Sequence, residues 1–474
     1  MRRSILIVFA LVVSLLTNAQ NTNDDFVTFR QNMLADFHGF HKSVLDGYSE
    51  FLNGIWKDYE MFSGRKLHPT PKPIVQPHRK DEEPEPLPQT IDPQNVSPVE
   101  PVIEDLKPNV EPAIDSSPSK VLFDWCGMTM TLPDAKITDN LNNPDKVNLV
   151  AYLGELDNSN INKEVVPQIT NIANVCNFND WCIFLFVERY VKTIKANSNC
   201  NTRNVICWYI LASLGYDVRL SLNGSNLFYL VPFQQIVYAR RYININNKSY
   251  YIWGEGEIDE NSGLLTPEVP DNSGALFNLV MNRPLNIPYK AKKYSHTFSG
   301  RTLSVEVNEN LIEVMKHYPQ MSVSAYAMSA GDTKMRNQVL AQMKEFVKGM
   351  DELKAANFIL QFIQSFDYAT DDVQFGYEKP FFIEEILYYP KCDCEDRSIF
   401  YHFLITHILG NSVHLVSYPN HECTAVHFSY DLEADHYMYQ GKQYVICDPT
   451  YIGATIGMCM PDYKSVKPEI EIVE

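Results

Sequence analysis

The feature that most constrains the fold is a repetition, because one series of landmarks occurs twice after residue 119. Each series has an alternating apolar segment, an apolar run, a cysteine leading a second apolar run, and two strand-like segments. Self-similarity of this kind is typical of repeated structural units, although short αβ units can also resemble one another by chance. The paired segments are residues 123–132 and 298–307, 181–187 and 356–362, 200–204 and 394–398, 227–233 and 422–428, and 248–253 and 442–447.

The pattern predicts an α+β fold built from two related units, residues 119–290 and residues 295–474. In each unit a helix that begins at a cysteine is expected to pack on an antiparallel sheet. In the second unit this helix presents Ile399, Phe400, Phe403 and Leu404 to the sheet, since apolar side chains three or four positions apart share a helix face.

The second unit contains a thiol, an imidazole and a carboxylate in an order that suits nucleophilic catalysis. Cys394 begins an apolar helical run, His421 follows the turn signal 418–420, and Asp448 precedes a proline. A thiol at a helix start is expected to have a lowered pKa, because the helix N-terminus favours negative charge. The thiol would act as nucleophile, His421 as base and Asp448 as the carboxylate that orients the ring.

Each of these residues also has a structural interpretation. His427 lies six positions after His421, on the same face of the predicted strand, and is the alternative base. Asp448 can be a turn former, and Cys394 a buried apolar side chain. Glu395, Asp396 and Arg397 are interpreted as the first helical turn and its ion pair, not as catalytic groups.

A zinc site is the competing interpretation of the same region. The available soft ligands are Cys392, Cys394, His421, Cys423, His427 and Cys447. Structural zinc sites favour ligand pairs two to four residues apart in both halves, and this set has only one pair near that spacing. No metal and no cofactor are therefore expected.

At these positions the chain resembles the transglutaminase-like superfamily, a papain-like group of cysteine enzymes. The resemblance covers residues 350–461 and rests on the segments 358–368, 375–380, 393–396, 421–426 and 444–450, and on the acidic pair 384–385. It implies a papain-like core in which Cys394 is the nucleophile, His421 the base and Asp448 the orienting carboxylate.

The reaction implied is acyl transfer from a peptide or protein amide through a thioester on Cys394. Hydrolysis by water is favoured over crosslinking to an amine, although the same residues serve both. The Cys394 backbone N–H is a natural oxyanion donor, and Gln361 or Gln364 is a candidate second donor. A non-catalytic binding protein on the same fold is the alternative from another class.

The first unit keeps the thiol but not its partners. Cys200 corresponds to Cys394, whereas Asn226 and Gly254 stand opposite His421 and Asp448. Without a base a thiol is a weak nucleophile, so this unit is expected to be a degenerate, inactive copy.

The N-terminus resembles a cleavable export signal over residues 1–19, with Arg2 and Arg3 before an apolar stretch and Ala19 before the predicted cut. This stretch is too short for a stable membrane span, and no cysteine directly follows it, so a lipoprotein is not expected. The shape of the signal is typical of bacterial export, and the mature chain is predicted to be periplasmic or secreted.

Residues 20–65 and 66–118 differ sharply in composition. Aromatic and aliphatic residues recur every three or four positions from Asp24 to Met61, which predicts an amphipathic helix for self-association, for docking or for the core of the first unit. Residues 66–118 hold 13 of the 28 prolines and many acids, which predicts an extended linker.

Charge and cysteine content exclude some functions. The formal net charge of −18, without a long basic block, disfavours nucleic-acid binding. The ten cysteines permit disulfides in an exported chain but form no dense framework. The expected partner is a peptide or protein substrate.

Overall fold

The computed structural model describes residues 56–66, 72–73, 75–79, 87–90, 120–138, 140–267 and 274–473, and the fold is α+β as expected. Its helices, numbered along the described residues, are α1 (Lys146–Asn158), α2 (Val166–Val175), α3 (Asp180–Ile194), α4 (Cys200–Ser213), α5 (Glu309–Met315), α6 (Val323–Met328), α7 (Thr333–Val347), α8 (Glu352–Gln364), α9 (Asp371–Gln374), α10 (Ile383–Ile386) and α11 (Cys394–Leu409). A short π-helix spans Ile161–Val165, and a 3-10 turn spans Pro461–Tyr463.

The strands form two larger antiparallel sheets and two hairpins. They are β1 (Trp56–Tyr59), β2 (Lys120–Trp125), β3 (Met128–Pro133), β4 (Arg219–Asn223), β5 (Asn226–Pro232), β6 (Tyr242–Ile245), β7 (Lys248–Trp253), β8 (Leu264–Pro267), β9 (Ala291–Phe298), β10 (Arg301–Asn308), β11 (Ser412–Tyr418), β12 (His421–His427), β13 (His436–Tyr439), β14 (Lys442–Cys447) and β15 (Glu469–Ile472). β2 pairs with β3, and β9 with β10.

Five strands of the first sheet have the same order as the five strands of the second, and β1 is an additional edge strand of the first sheet. The first runs β6-β7-β5-β4-β8-β1, and the second runs β13-β14-β12-β11-β15. A helix led by a cysteine packs on the central strand of each sheet, α4 on β5 and α11 on β12. Each unit also begins with a hairpin and contains a long apolar helix before the cysteine, α3 or α8.

The strand registers of the two sheets agree residue by residue. Tyr229 stands opposite Trp253 in the first sheet, and Thr424 stands opposite Cys447 in the second. The pairs next to the two hairpin turns also correspond. Asn226 pairs with Asn223 in the first sheet, and His421 pairs with Tyr418 in the second. This is the alignment that the sequence comparison predicts.

Local sequence determines the ends of the cysteine-led helices. The Asn199 side chain accepts a hydrogen bond from the Thr202 N–H and so caps α4, since the first N–H groups of a helix lack internal partners. At the start of α11, Asp396 accepts from the backbone N–H of Asp393 at 3.1 Å. Gly410 ends α11 with φ of +76°, a conformation that glycine adopts without steric cost.

The N-terminal predictions have mixed outcomes. The predicted signal over residues 1–19 and most of the predicted helix lie outside the described residues. The prediction that this helix extends to Met61 is wrong, because Trp56–Tyr59 is a strand that pairs with β8 of the first sheet. Among the described residues, no helix combines the length and apolarity that crossing a bilayer requires.

Parts of the predicted linker are packed on the second unit. Residues 75–79 and 87–90 make backbone hydrogen bonds with residues near the end of the second unit, among them Arg79 N–H to the Ile452 carbonyl at 2.9 Å. Sequence composition did not indicate these contacts, because a backbone hydrogen bond requires no particular side chain.

Candidate active site

Cys394 is the first residue of α11 and is fully buried. Its thiol donates a hydrogen bond to the Glu395 carboxylate at 3.2 Å. The backbone N–H of Glu422, the residue that follows His421, lies close enough to the sulfur to lower the pKa of the thiol. The packing of α11 on β12 therefore brings the predicted nucleophile beside the start of the strand that carries the predicted base.

His421 and Asp448 meet at the ends of two neighbouring strands. The His421 Nε2 and the Asp448 Oδ2 are 2.8 Å apart, and both side chains are buried. The imidazole also stacks on the Tyr463 ring, with 5.6 Å between ring centroids. Among the described residues the buried Nδ1 of His421 has no hydrogen-bond partner, so this nitrogen remains for proton exchange.

Asp448 is held in place by its own loop and by α8. Its Oδ1 accepts from the N–H groups of Thr450 and Tyr451, at 2.9 and 3.1 Å. The side-chain amide of Gln364 donates to the backbone carbonyls of Asp448, Tyr451 and Ala454, at 2.9 to 3.1 Å.

These bonds engage the donors of Gln364, so its predicted use as an oxyanion donor is wrong. Gln364 instead positions the loop that carries the carboxylate. The sequence contained a glutamine at the end of an apolar helix but no signal for its three acceptors. Gln361 and the Cys394 backbone N–H stay predictions as oxyanion donors.

The alternative base is engaged elsewhere. His427 lies at the far end of β12, where its Nδ1 is 3.0 Å from the Gln443 carbonyl oxygen. The structure thus joins Asp448 to His421 and leaves His427 away from that carboxylate.

The soft ligands of the zinc interpretation do not come together. Among the described residues, the groups of potential ligand atoms within 4.8 Å of one another are rich in carboxylates. One contains Cys394 with Asp393 and Glu395, and none contains a histidine. All ten cysteines are free thiols, so none is in a disulfide.

Burial makes Cys394 less acidic than its position at a helix start suggested. Burial raises the pKa of this thiol well above its ordinary value, and the nearby ammonium of Lys72 opposes the shift. The expected net lowering of the pKa is therefore absent in this closed arrangement, in which the sulfur has no exposed surface. A reactive thiolate requires a change in what covers the sulfur.

Lys72 comes from the predicted linker and lies among acidic residues at the start of α11. Its ammonium forms ion pairs with Glu378 and Glu395, and with the Asp393 Oδ2 at 3.2 Å. Burial lowers the pKa of Lys72, but Asp393 and its neighbours outweigh this effect and raise it well above the ordinary value. Nothing in the sequence indicates this contact.

Residues 395–397 have the structural roles expected of a first helical turn, although their partners are distant in sequence. The Asp396 Oδ1 accepts from the Phe381 N–H at 2.8 Å. Arg397 is fully buried and donates to the Phe366 carbonyl oxygen at 2.6 Å. Glu395 differs from that expectation, because it contacts the thiol directly.

The corresponding position in the first unit has a different chemistry. Cys200 begins α4 but is partly exposed. Asn226 donates to the Glu257 carbonyl at 3.0 Å, and Gly254 has φ of +118°. Asn204 occupies the space beside Gly254, where an added Cβ would lie 2.8 Å from its side chain.

The chain was compared with protein families, with curated proteins and with solved structures, and no match was found in any of the three.

Proposed function

We propose that this protein is an exported cysteine acyltransferase of the transglutaminase-like kind, with a papain-like catalytic core and Cys394, His421 and Asp448 as its catalytic triad. The observation that carries the proposal is the 2.8 Å contact between His421 and Asp448 at the start of β12, the strand on which the Cys394 helix packs. A thiol, an imidazole and a carboxylate, each on a different element, then have the roles that nucleophilic catalysis requires.

The proposed chemistry begins with proton transfer from Cys394 to the Nδ1 of His421. The thiolate attacks an amide carbonyl of a peptide or protein, and the protonated imidazole gives its proton to the departing amine. Asp448 accepts the hydrogen bond from Nε2 and stabilises the charged ring. Water attacks the resulting thioester to give an acid, whereas an amine would give a crosslink. We favour hydrolysis, which needs no second substrate.

We also propose that the two units arose by duplication and that the first is inactive. The supporting observations are the shared strand order and the matching registers around Tyr229 and Thr424. The first unit has an amide and a glycine where the second has a base and a carboxylate.

A covalent-trapping experiment tests the enzymatic function. The full chain is incubated with peptide fluoromethyl ketones, and the modified residue is identified by peptide mass mapping. We expect labelling of Cys394 that disappears in His421→Ala, while the other nine cysteines stay unlabelled. Labelling of Cys392 in place of Cys394, or labelling that is indifferent to His421, would refute the proposal.

A non-catalytic peptide-binding protein is the second candidate. The complete burial of Cys394 favours it, because a permanently covered thiol cannot react. Under this alternative no thioester forms with any amide, although peptides bind.

A further inference from the structure

Residues 72–73 and 75–79 lie on the second unit in the manner of a bound extended peptide. The Tyr368 hydroxyl donates to the Pro73 carbonyl at 2.8 Å, and the Gln76 amide donates to the Thr450 carbonyl at 3.1 Å. The backbone then pairs with the loop after Asp448, since the Ile452 N–H donates to the Pro77 carbonyl at 2.9 Å. Backbone pairing supplemented by side-chain pockets is a recurring mode of peptide recognition.

Carboxylates surround the Lys72 ammonium and form an anionic pocket. Only 8% of the Lys72 surface is exposed, and lysine is rarely buried unless it is paired. Glu378, Asp393 and Glu395 contact the ammonium, and Asp371 is close enough to raise its pKa. The lysine and Asp393 are 321 positions apart in sequence, so no local helix geometry accounts for their contact.

The carboxylates have an excess of negative charge even with Lys72 in place. Burial, followed by the charge of Asp393, raises the pKa of Asp371 to about 9, so this group takes up a proton instead of remaining ionised. Such a cluster is costly to bury by itself. A bound ammonium offsets that cost, and the pocket adjoins the proposed nucleophile because Glu395 also accepts from the Cys394 thiol.

We propose that Asp371, Glu378, Asp393 and Glu395 form a subsite that binds a lysine side chain of a peptide, and that Lys72 occupies this subsite in cis. The proposal rests on the proposed function in that it treats the cleft beside Cys394 as the substrate cleft. A lysine-containing peptide enters in place of residues 72–73 and 75–79, and its backbone takes the hydrogen bonds that Pro77 and Arg79 make with Ile452. The same exchange removes Lys72 from beside the start of α11, where Cys394 lies.

Binding to the full chain tests the subsite without requiring catalysis. The protein carries Lys72→Met, which keeps an apolar stem but removes the charge, together with Cys394→Ala. The probe is a fluorescent peptide with the sequence of residues 71–79, and the control probe has norleucine at the lysine position. We expect the lysine peptide to bind at least about 30-fold more tightly than the norleucine peptide, because loss of one partner of a buried ion pair is costly.

The matched protein control retains Lys72 and carries Cys394→Ala alone. It is expected to bind the lysine peptide at least about tenfold more weakly, since its own segment competes at a high effective concentration. Equal affinity for the two peptides, or no binding by the Lys72→Met protein, would overturn the proposal.

A second measurement uses the chain without any substitution and so covers the case in which Lys72→Met does not fold. Acetic anhydride labels lysines, and the labelling of Lys72 is compared with that of the partly exposed Lys344 by mass spectrometry. Millimolar lysine peptide should raise the labelling of Lys72 severalfold and leave Lys344 unchanged. An unchanged rate at Lys72, or an equal rise with the norleucine peptide, would contradict cis occupancy of a lysine subsite.

The two proposals fail in distinguishable ways. Lysine-dependent binding without any thioester at Cys394 would retain the subsite and reject the enzyme. Turnover of peptides without preference for lysine would retain the enzyme and reject the subsite.

Discussion

The two units share a strand order and register, but the surroundings of the cysteine-led helix differ between them. In the second unit, α11 packs on β12, where His421 contacts Asp448, and Lys72 forms ion pairs with Asp393 and Glu395 at the helix start. In the first unit, a cavity of about 650 Å³ adjoins α4 and is lined by residues that include Arg203, Asn204 and Glu255. The difference lies in a few side chains, since strand order and register agree.

In the first unit, the Asn204 side chain fills the space between α4 and Gly254. Its side chain donates to the carbonyls of Leu227 and Glu255, both at 2.8 Å, and accepts from the Glu255 N–H at 2.9 Å. The corresponding residue of the second unit, Ser398, hydrogen-bonds back to the Cys394 carbonyl at 2.8 Å within its own helix. The first unit thus ties its helix to its sheet through Asn204, whereas the Ser398 bond in the second unit stays within α11.

The largest expected difference between the units concerns their thiols. Cys394→Ala should reduce amide hydrolysis by about 10⁴-fold or more, because the covalent route disappears. Cys200→Ala should change the rate by less than about twofold, since Asn226 cannot accept a proton from a thiol. Initial rates on a peptide library measure both variants. Equal losses would mean that the first unit is catalytic.

The proposed base gives the next largest effect. His421→Ala should lower kcat by about 10²- to 10⁴-fold, the usual contribution of general acid–base catalysis. His427→Ala is the matched control on the same strand and should leave kcat within a factor of about three, because its ring bonds to the Gln443 carbonyl. A greater loss from His427→Ala than from His421→Ala would reverse the assignment.

The helices and strands around the site are easier to predict from the sequence than the contact that Lys72 makes with them. Apolar periodicity and turn residues place the start of α11 at Cys394, the end of this helix before Gly410, and the start of β12 at His421. These features depend on local sequence. The contact of Lys72 with Asp393 depends on the path of a proline-rich segment, and composition alone describes that segment as an extended linker.

The thiol pKa shows a second limit of sequence reasoning. A helix N-terminus is a local property and predicts a lowered pKa, but burial is a tertiary property and has the larger effect on Cys394. Likewise, the sequence offers Gln361 or Gln364 as a second oxyanion donor, and only the fold shows three carbonyls around the Gln364 amide.

A stability difference between the units is expected in acid. His402 is buried in α11, at the position where α4 has Trp208, and burial together with His407 and His414 lowers its pKa to about 4. The unfolded chain takes up this proton near its ordinary pKa of about 6.5, but the folded chain does so only near pH 4. Neutral His402 therefore makes its full contribution to the free energy of unfolding above about pH 6.5. This contribution falls by about 3 kcal/mol as the pH falls toward 4.

Urea denaturation of the full chain and of His402→Gln at pH 7 and pH 4 measures this contribution. The free energy of unfolding of the variant should fall less over that interval, by about 3 kcal/mol, because glutamine does not titrate. His436→Gln is the control, since that histidine is exposed. Parallel pH dependences for His402→Gln and the unchanged chain would show that His402 protonates freely in the fold.

The smallest expected effect tests whether the first unit has lost the room for a carboxylate. Gly254 corresponds to Asp448, its φ is +118°, and an added Cβ would lie 2.8 Å from the Asn204 side chain. Gly254→Ala should therefore lower the free energy of unfolding by about 2 kcal/mol, through backbone strain and displacement of Asn204 from its hydrogen bonds. Gly441→Ala is the control, since φ there is +78° but no neighbouring atom lies within 4 Å.

In an Asn204→Ser background the steric part of the Gly254→Ala cost should disappear, because the shorter side chain of the second unit then occupies the position. An unchanged cost in that background would place the whole penalty in the backbone and leave the space beside α4 open to a carboxylate.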